Sequence, residues 1–438
     1  MTGSRHALAR VLALALLARG AGAAPAERVS QAAPARPASC LAVAAGSSLD
    51  AAIAAAPEGA SLCLAPGDYT GPVQVTRRLT LWGPREAVIR SQGSGTTVAL
   101  DAAGSALQGL AVDGSGGRFD LLDAAVRVGA DGVRVEGVAI RDALFGVLAD
   151  RCRGLVLRGN EITGRPEVPL GLRGDGIRLW EVRDSQVEGN RLSDSRDMVV
   201  WYSPGNRIAH NSVLRGRYGT HFMYSHANVV EDNRYEQNVV GIFVMYSRDV
   251  VVRNNLVLRS AGAAGMGFGA KDSVGLVVEG NAFLGNRTGA YIDTSAFSPG
   301  EVNLFERNAF RLGEVGIELH AGAAVDRFVG NSFRDNDVEV AVEGRGDARA
   351  AEWRGNDWGD YAGYDLDGDG IGDLPYELRS LSSELAARVP ALAFFRGAPA
   401  FWLVELIGRV VPLLEPQVLL VDPAPRMAAL APGIPDAD

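Results

Sequence analysis

The chain has few of the side chains that catalytic and redox sites usually need. Its 438 residues include three cysteines, five histidines and six methionines. The cysteines, Cys40, Cys63 and Cys152, form no Cys-x-x-Cys pair, which leaves no basis for dithiol exchange or a zinc ribbon. No G-x-x-x-x-G-K-[ST] loop is present to cradle nucleotide phosphates, and neither G-x-S-x-G nor H-E-x-x-H occurs. Acidic residues outnumber basic ones, 52 to 43. The formal charge is -9, and removing the three arginines of residues 1–23 takes it to about -12, which argues against a nucleic-acid partner. No long stretch with a helical period interrupts residues 48–358, and the apolar run Val11–Leu17 is too short to cross a bilayer.

That run does fit an export signal. Arg5 and Arg10 give a positive start, Val11–Leu17 an apolar centre, and Ala21-Gly22-Ala23 a small-residue cleavage site, so residues 1–23 are expected to be removed and the mature protein to be periplasmic. Residues 24–39, rich in Ala and Pro, read as a flexible segment. In an oxidising compartment Cys40 and Cys63, about one repeat apart, are candidates for a disulfide. Cys152 then remains as a small buried apolar residue.

What the chain does have is a repeat. Asparagine recurs at 160, 190, 211, 233, 255, 281, 308, 331 and 356, stepping by 21, 22 and 22 residues between Asn190 and Asn255. Short apolar-polar-apolar runs bounded by Gly, Asn and Asp fill the intervals. A period in the twenties with strands of this kind predicts an all-β fold, a right-handed single-stranded parallel β-helix over residues 40–358, about 60 Å long at one rung per ~4.8 Å. The asparagines are expected to adopt the left-handed turn and to hydrogen-bond from rung to rung. Ala51–Ala56 is a candidate end-capping helix. Residues 359–377 form an acidic, aromatic capping loop. Residues 378–438 form an apolar, irregular or helical tail suited to docking on a partner. Phe401–Val421 looks membrane-like, but Glu405, Arg409, Pro412, Glu415 and Pro416 would suit a spanning helix poorly.

Aligning the central rungs gives an inward column of Leu179, Val200, Phe222, Val244, Phe268, Ile292 and Leu319. Trp180, Trp201, Met223 and Met245 then form an exterior stripe, with His221 two residues from Met223 on the same strand. Thioether and imidazole are ligands for Cu(I), which accepts soft donors at low coordination number, so His221, Met223 and Met245 are copper candidates. Met198 and Met266 are assigned to the core, and His210 and His226 to turns. The same stripe, through Trp180 and Trp201, would also suit sugar stacking. Asp175, Asp197, Arg178 and Arg196 could line an exterior cleft of a polysaccharide lyase or hydrolase. Asp365, Asp367, Asp369 and Asp373, with Gly370, match the first part of a calcium loop, although its twelfth position is Tyr376 rather than glutamate.

The succession GDGIRLW, SRDMVVWYS, RYGTHFMYS and VGIFVMYSRD, followed by WRGNDWGDYAGYDLDGDGIGDLPY, resembles the NosD family from about Asp175 to Tyr376. The likeness extends more loosely from the GDYTG turn at 67–71 to the C-terminus. It implies a non-enzymatic periplasmic accessory protein for assembly of the copper centre of nitrous oxide reductase. It also implies partners: an ABC transporter permease with its ATPase, and a copper chaperone. The apolar tail would then be the docking element that makes the protein peripheral to the membrane.

Overall fold

The computed structural model describes residues 34–428 apart from 294–301, 322–325, 345 and several short stretches between 382 and 415. The export signal expected at 1–23 lies outside the described residues. Each turn of the chain contributes one short strand to each of three parallel sheets, of 14, 12 and 13 strands, and these enclose one continuous apolar core. The N-terminal end is closed by an α-helix, Leu49–Ala55, which buries Leu49 and Ile53; the Ser48 side chain accepts a hydrogen bond from the Ala51 N–H at 3.2 Å. Cys40 and Cys63 form a disulfide, with their Cα atoms 5.6 Å apart, beside the paired strands Leu41–Val43 and Ser61–Leu64. Residues 34–39 run from that end along the flank of the first rungs, with Pro34 against Gly137. The Trp82 indole N–H donates to the Pro34 carbonyl at 2.9 Å, and the Arg36 guanidinium sits 5.9 Å from the Trp82 ring. Cys152 is buried, and burial pushes its thiol up to about 12, which makes it inert.

The asparagine ladder is continuous from Asn160 to Asn356. The backbone N–H and side-chain amide of Asn211, for example, both donate to Asn233 Oδ1, at 2.8 and 2.9 Å, and Asn233 repeats this with Asn255 at 3.0 Å for each. The left-handed residue at each of these turns, however, is the one before the asparagine: Gly159, Gly189, His210, Asp232, Asn254, Gly280, Arg307, Gly330 and Gly355. The turn needs two chemistries, a residue at positive φ and a buried amide, and neighbouring residues divide them. His210 is therefore a turn residue, as expected. A second ladder of serine hydroxyls, Ser203, Ser225, Ser247 and Ser273, links the rungs at another corner at 3.0–3.1 Å.

The strand register corrects one rung. Leu179, Val200, Phe222 and Val244 stack as expected, but Ala270, not Phe268, follows Val244; Phe268 lies against Ile242. The chain gains extra length before Met266, which slides this rung by two residues. Met198 is fully buried, whereas Met266 pairs with Val240 at the start of its strand and is only half-buried.

Where the strands of the 12-stranded sheet bend, glycines stack: Gly219, Gly241, Gly267, Gly289 and Gly316. A Cβ on Gly241 would lie 2.4 Å from Val257 Cγ1 and 2.5 Å from the Gly267 carbonyl oxygen. Gly241→Ala is therefore expected to lower stability by about 1–3 kcal/mol, read as a shift in the urea midpoint at unchanged slope.

The C-terminal region closes the other end. Tyr376–Arg379 pairs antiparallel with Val418–Asp422. The core aromatic stack runs Phe283, Phe310, Phe333, Trp358 and into Tyr376, at ring separations of 4.5–5.4 Å. The part of the tail around Val418–Asp422 is thus structural, with Leu420 and Asp422 fully buried. Among the described residues no helix is long and apolar enough to cross a membrane.

Candidate metal centre

The 12-stranded sheet carries the soft side chains. Its register places Trp180, Trp201, Met223, Met245, Lys271 and Asp293 in one outward column, and Arg178, Val199, His221 and Phe243 in the column beside it. Sequence spacing therefore brings His221, Met223 and Met245 together on neighbouring rungs. His221 Nε2 lies 3.3 Å from Met245 Sδ. Met223 lies on the histidine's own strand, Tyr218–Met223, directly beside Met245 in register.

His221 does not stand on an open face, as the sequence suggested. It is 7% exposed, because a shift in strand register between the Asp197–Tyr218 and Val199–His221 pairs puts Tyr218 on the same side as the imidazole. The Tyr218 ring stacks on the imidazole at 4.6 Å, Trp201 meets it edge-on at 5.5 Å and Phe243 at 6.2 Å. Burial holds the imidazole down at about 4, with nearby Asp197 only partly opposing. His221 Nδ1 and Trp201 Nε1 are buried without a hydrogen-bond partner. A neutral imidazole with one ring nitrogen against a thioether and a second thioether alongside offers two to three soft donors in a dry pocket, and these residues fit Cu(I). The tyrosine of this enclosure escaped the sequence reading, whereas Phe243 falls in the outward column beside His221 as the rung alignment gives it. The spacing Tyr218–His221 is three, and only the local bulge puts both on the same side.

Trp180 and Trp201 are half-buried and 5.9 Å apart, and the Arg178 guanidinium covers both at 5.2 and 5.4 Å. The expected acid cleft is closed. Asp175 and Asp197 are 1% and 2% exposed. Arg196 donates to Asp175 at 2.8 Å, and Arg217 grips both oxygens of Asp197. Burial pushes Asp175 up to about 6, with Arg196 pulling the other way.

The acidic loop assembles three of its four carboxylates. Oxygens of Asp365, Asp367 and Asp369 lie within 4.8 Å of one another. Asp373 instead accepts from the Leu366 N–H at 2.7 Å. Asp365 accepts from Gly370 and Gly368 N–H groups at 2.9 and 2.7 Å, which hold it below the usual carboxylate range. The carboxylates serve the loop's own backbone, and Tyr376, at the twelfth position, is the last ring of the core stack. His226, at a turn, accepts from the Arg248 N–H through Nδ1 at 3.1 Å. A further group, Glu318, His320 and Glu343, was not recognised in the sequence; its members come from two different rungs.

Fold and site together define a parallel β-solenoid with an imidazole–thioether group under an aromatic cover. A family model described as "Periplasmic copper-binding protein (NosD)" matches residues 154–363, a span that contains that group. A "Probable ABC transporter binding protein NosD" of Pseudomonas aeruginosa is 32% identical over 383 residues, covering 84% of this chain and 89% of that protein. A protein of the same description from Stutzerimonas stutzeri is 28% identical over 390 residues, covering 82% and 85%. The chain belongs to the NosD family. Among solved structures, the catalytic unit of a thermostable GH87 α-1,3-glucanase from Streptomyces thermodiastaticus superposes with a TM-score of 0.52 at 17% identity, over 76% of this chain and 70% of that one. At that identity the likeness is one of fold.

Proposed function

We propose that this chain is a periplasmic copper-handling maturation factor, which works with an ABC transporter to assemble the copper centre of nitrous oxide reductase. The observation that carries this reading is the 3.3 Å approach of His221 Nε2 to Met245 Sδ beside Met223, inside the segment that matches a copper-binding family. Thioether and neutral imidazole ligands favour Cu(I), and half-buried, flexible methionine side chains suit handing it on. Its cargo would come from a copper chaperone and pass to the reductase. Calcium at the acidic loop forms no part of this. The test is Cu(I) titration of the mature protein against Met223→Ala/Met245→Ala; unchanged affinity in the double variant would remove the site. The rival reading, a lyase, hydrolase or glycan-binding module built on Trp180 and Trp201, needs a free acid or an open aromatic face. Here the two carboxylates are held by arginines and Arg178 lies over the indoles. Turnover of, or retention on, uronate or neutral glycans would revive it.

Docking on the membrane permease falls to the segment between the two cap strands, where Val389, Phe395, Leu403, Leu406 and Ile407 are exposed. Removing everything beyond residue 378 would destroy the cap as well, so it cannot test this. Arg379 and Val418 are paired, so residues 380–417 can be replaced by an Asn-Gly turn. That variant is expected to keep the rod's thermal midpoint and lose membrane association in cells containing the transporter. Retention on membranes would place docking elsewhere.

A further inference from the structure

Three rungs beyond Met245, the same outward columns change chemistry. Lys271 and Asp293 continue the methionine column and pair at 3.6 Å. Glu318 then stands in the histidine column, beside Tyr291 in register, and His320 follows two residues on along the strand Val315–Ala321. Glu343 comes from the next rung, where Leu319 pairs with Val342 and the Glu343 N–H donates to the Leu319 carbonyl at 2.9 Å. The ligand atoms of Glu318, His320 and Glu343 all lie within 4.8 Å of one another, and all three side chains are half-buried. His320 Nδ1 is buried with no hydrogen-bond partner. The Tyr291 ring packs 5.7 Å from the imidazole. Gly344, at φ +58°, lies against the other ring nitrogen: a Cβ there would lie 2.8 Å from the His320 carbonyl oxygen and 3.2 Å from Nε2.

We infer that Glu318, His320 and Glu343 form a second metal site, for a divalent first-row ion such as Zn(II) or Cu(II). Two carboxylates and one imidazole are harder donors than the thioethers at Met223 and Met245, and they supply the negative charge a divalent ion needs. At about 4.8 Å per rung the two groups are roughly 14 Å apart, too far to share an ion. The outer face thus presents a soft site for a monovalent ion and a hard site for a divalent one, separated by the Lys271–Asp293 pair. This inference does not depend on the copper-maturation reading.

The experiment is calorimetric titration of the tag-free mature protein with Zn(II) at pH 7, accompanied by Cu(II) paramagnetic resonance. One equivalent is expected to bind, with hyperfine coupling to a single imidazole nitrogen in the Cu(II) spectrum. His320→Ala should weaken Zn(II) at least tenfold, and Met223→Ala/Met245→Ala should leave it unchanged. Should His320→Ala not fold, Glu318→Gln/Glu343→Gln replaces it with the same expectation. Unaltered Zn(II) affinity in either folded variant, or loss of Zn(II) binding in the methionine variant, overturns the assignment.

Discussion

His221→Ala should weaken Cu(I) binding by about a hundredfold, the loss of one of two or three ligands and of the group that orients Met245. The imidazole is the fixed element of the site. Tyr218 and Trp201 lock its ring, while Met223 and Met245 are half-buried and free to adjust. His221→Gln tests whether a polar side chain of similar reach suffices, and it should not, because an amide is a poor ligand for Cu(I). The pH profile gives a second readout. An imidazole held near its ordinary value would lose about thirtyfold in metal affinity at pH 5 through proton competition. Burial keeps His221 at about 4, so Cu(I) affinity should change by less than about threefold between pH 7 and 5. A steep loss below pH 6.5 would show that the histidine is exposed in solution.

The same burial links folding of the metal-free protein to pH. The folded value of His221 lies below its unfolded value of 6.5, so the unfolded chain takes up the proton first as pH falls. The stabilisation is fully present above pH 6.5 and is lost as pH drops towards 4, by on the order of 3 kcal/mol. Asp175, raised to about 6 by burial, acts with the opposite sign, and its contribution is lost as pH rises through 6. The difference between the pH profiles of the wild type and His221→Gln isolates the histidine.

Asp422→Ala should destabilise the C-terminal end of the rod severely. One carboxylate ends the whole asparagine ladder. Asp422 Oδ1 accepts from the Gly355 N–H at 3.1 Å, and Oδ2 accepts from the Asn356 N–H and side-chain amide at 2.9 Å each and from the Trp358 indole at 3.2 Å. Asp422 replaces the asparagine that a further rung would have supplied, in a site with no solvent access. Alanine leaves three buried donors and the part-buried Gly355 N–H without their acceptor, at about 1–3 kcal/mol for each that water cannot reach, so a loss of roughly 4 kcal/mol or more is expected. Asp422→Asn keeps an acceptor at the same place and should recover much of this. Urea unfolding of the three proteins decides it; a loss below about 1 kcal/mol for the alanine variant would mean that the cap is dispensable.

The repeat was legible in the sequence because a solenoid writes its period into the chain. From Asn160 onward the buried turn amide is asparagine at every rung, and the interior column is apolar. The placement of His221 beside Met245 followed from the same spacing, since strands one rung apart stack in register. Four things were not legible. The rung holding Phe268 slipped by two because an inserted turn is invisible to a period count, and only the hydrogen-bonded register places Ala270 against Val244. The enclosure of His221 depends on a local irregularity that turns Tyr218 to the outside, against strict alternation. Asp422 reaches Asn356 across 66 residues, and the group of Glu318, His320 and Glu343 forms across rungs whose sequences share no motif. The sequence by itself determined the architecture and which face carries sulfur and imidazole, because both follow from periodicity. The tertiary structure alone decided how deeply the imidazole is buried, what closes the rod and where the second group of ligands converges. Those depend on contacts between distant residues, which no local pattern encodes.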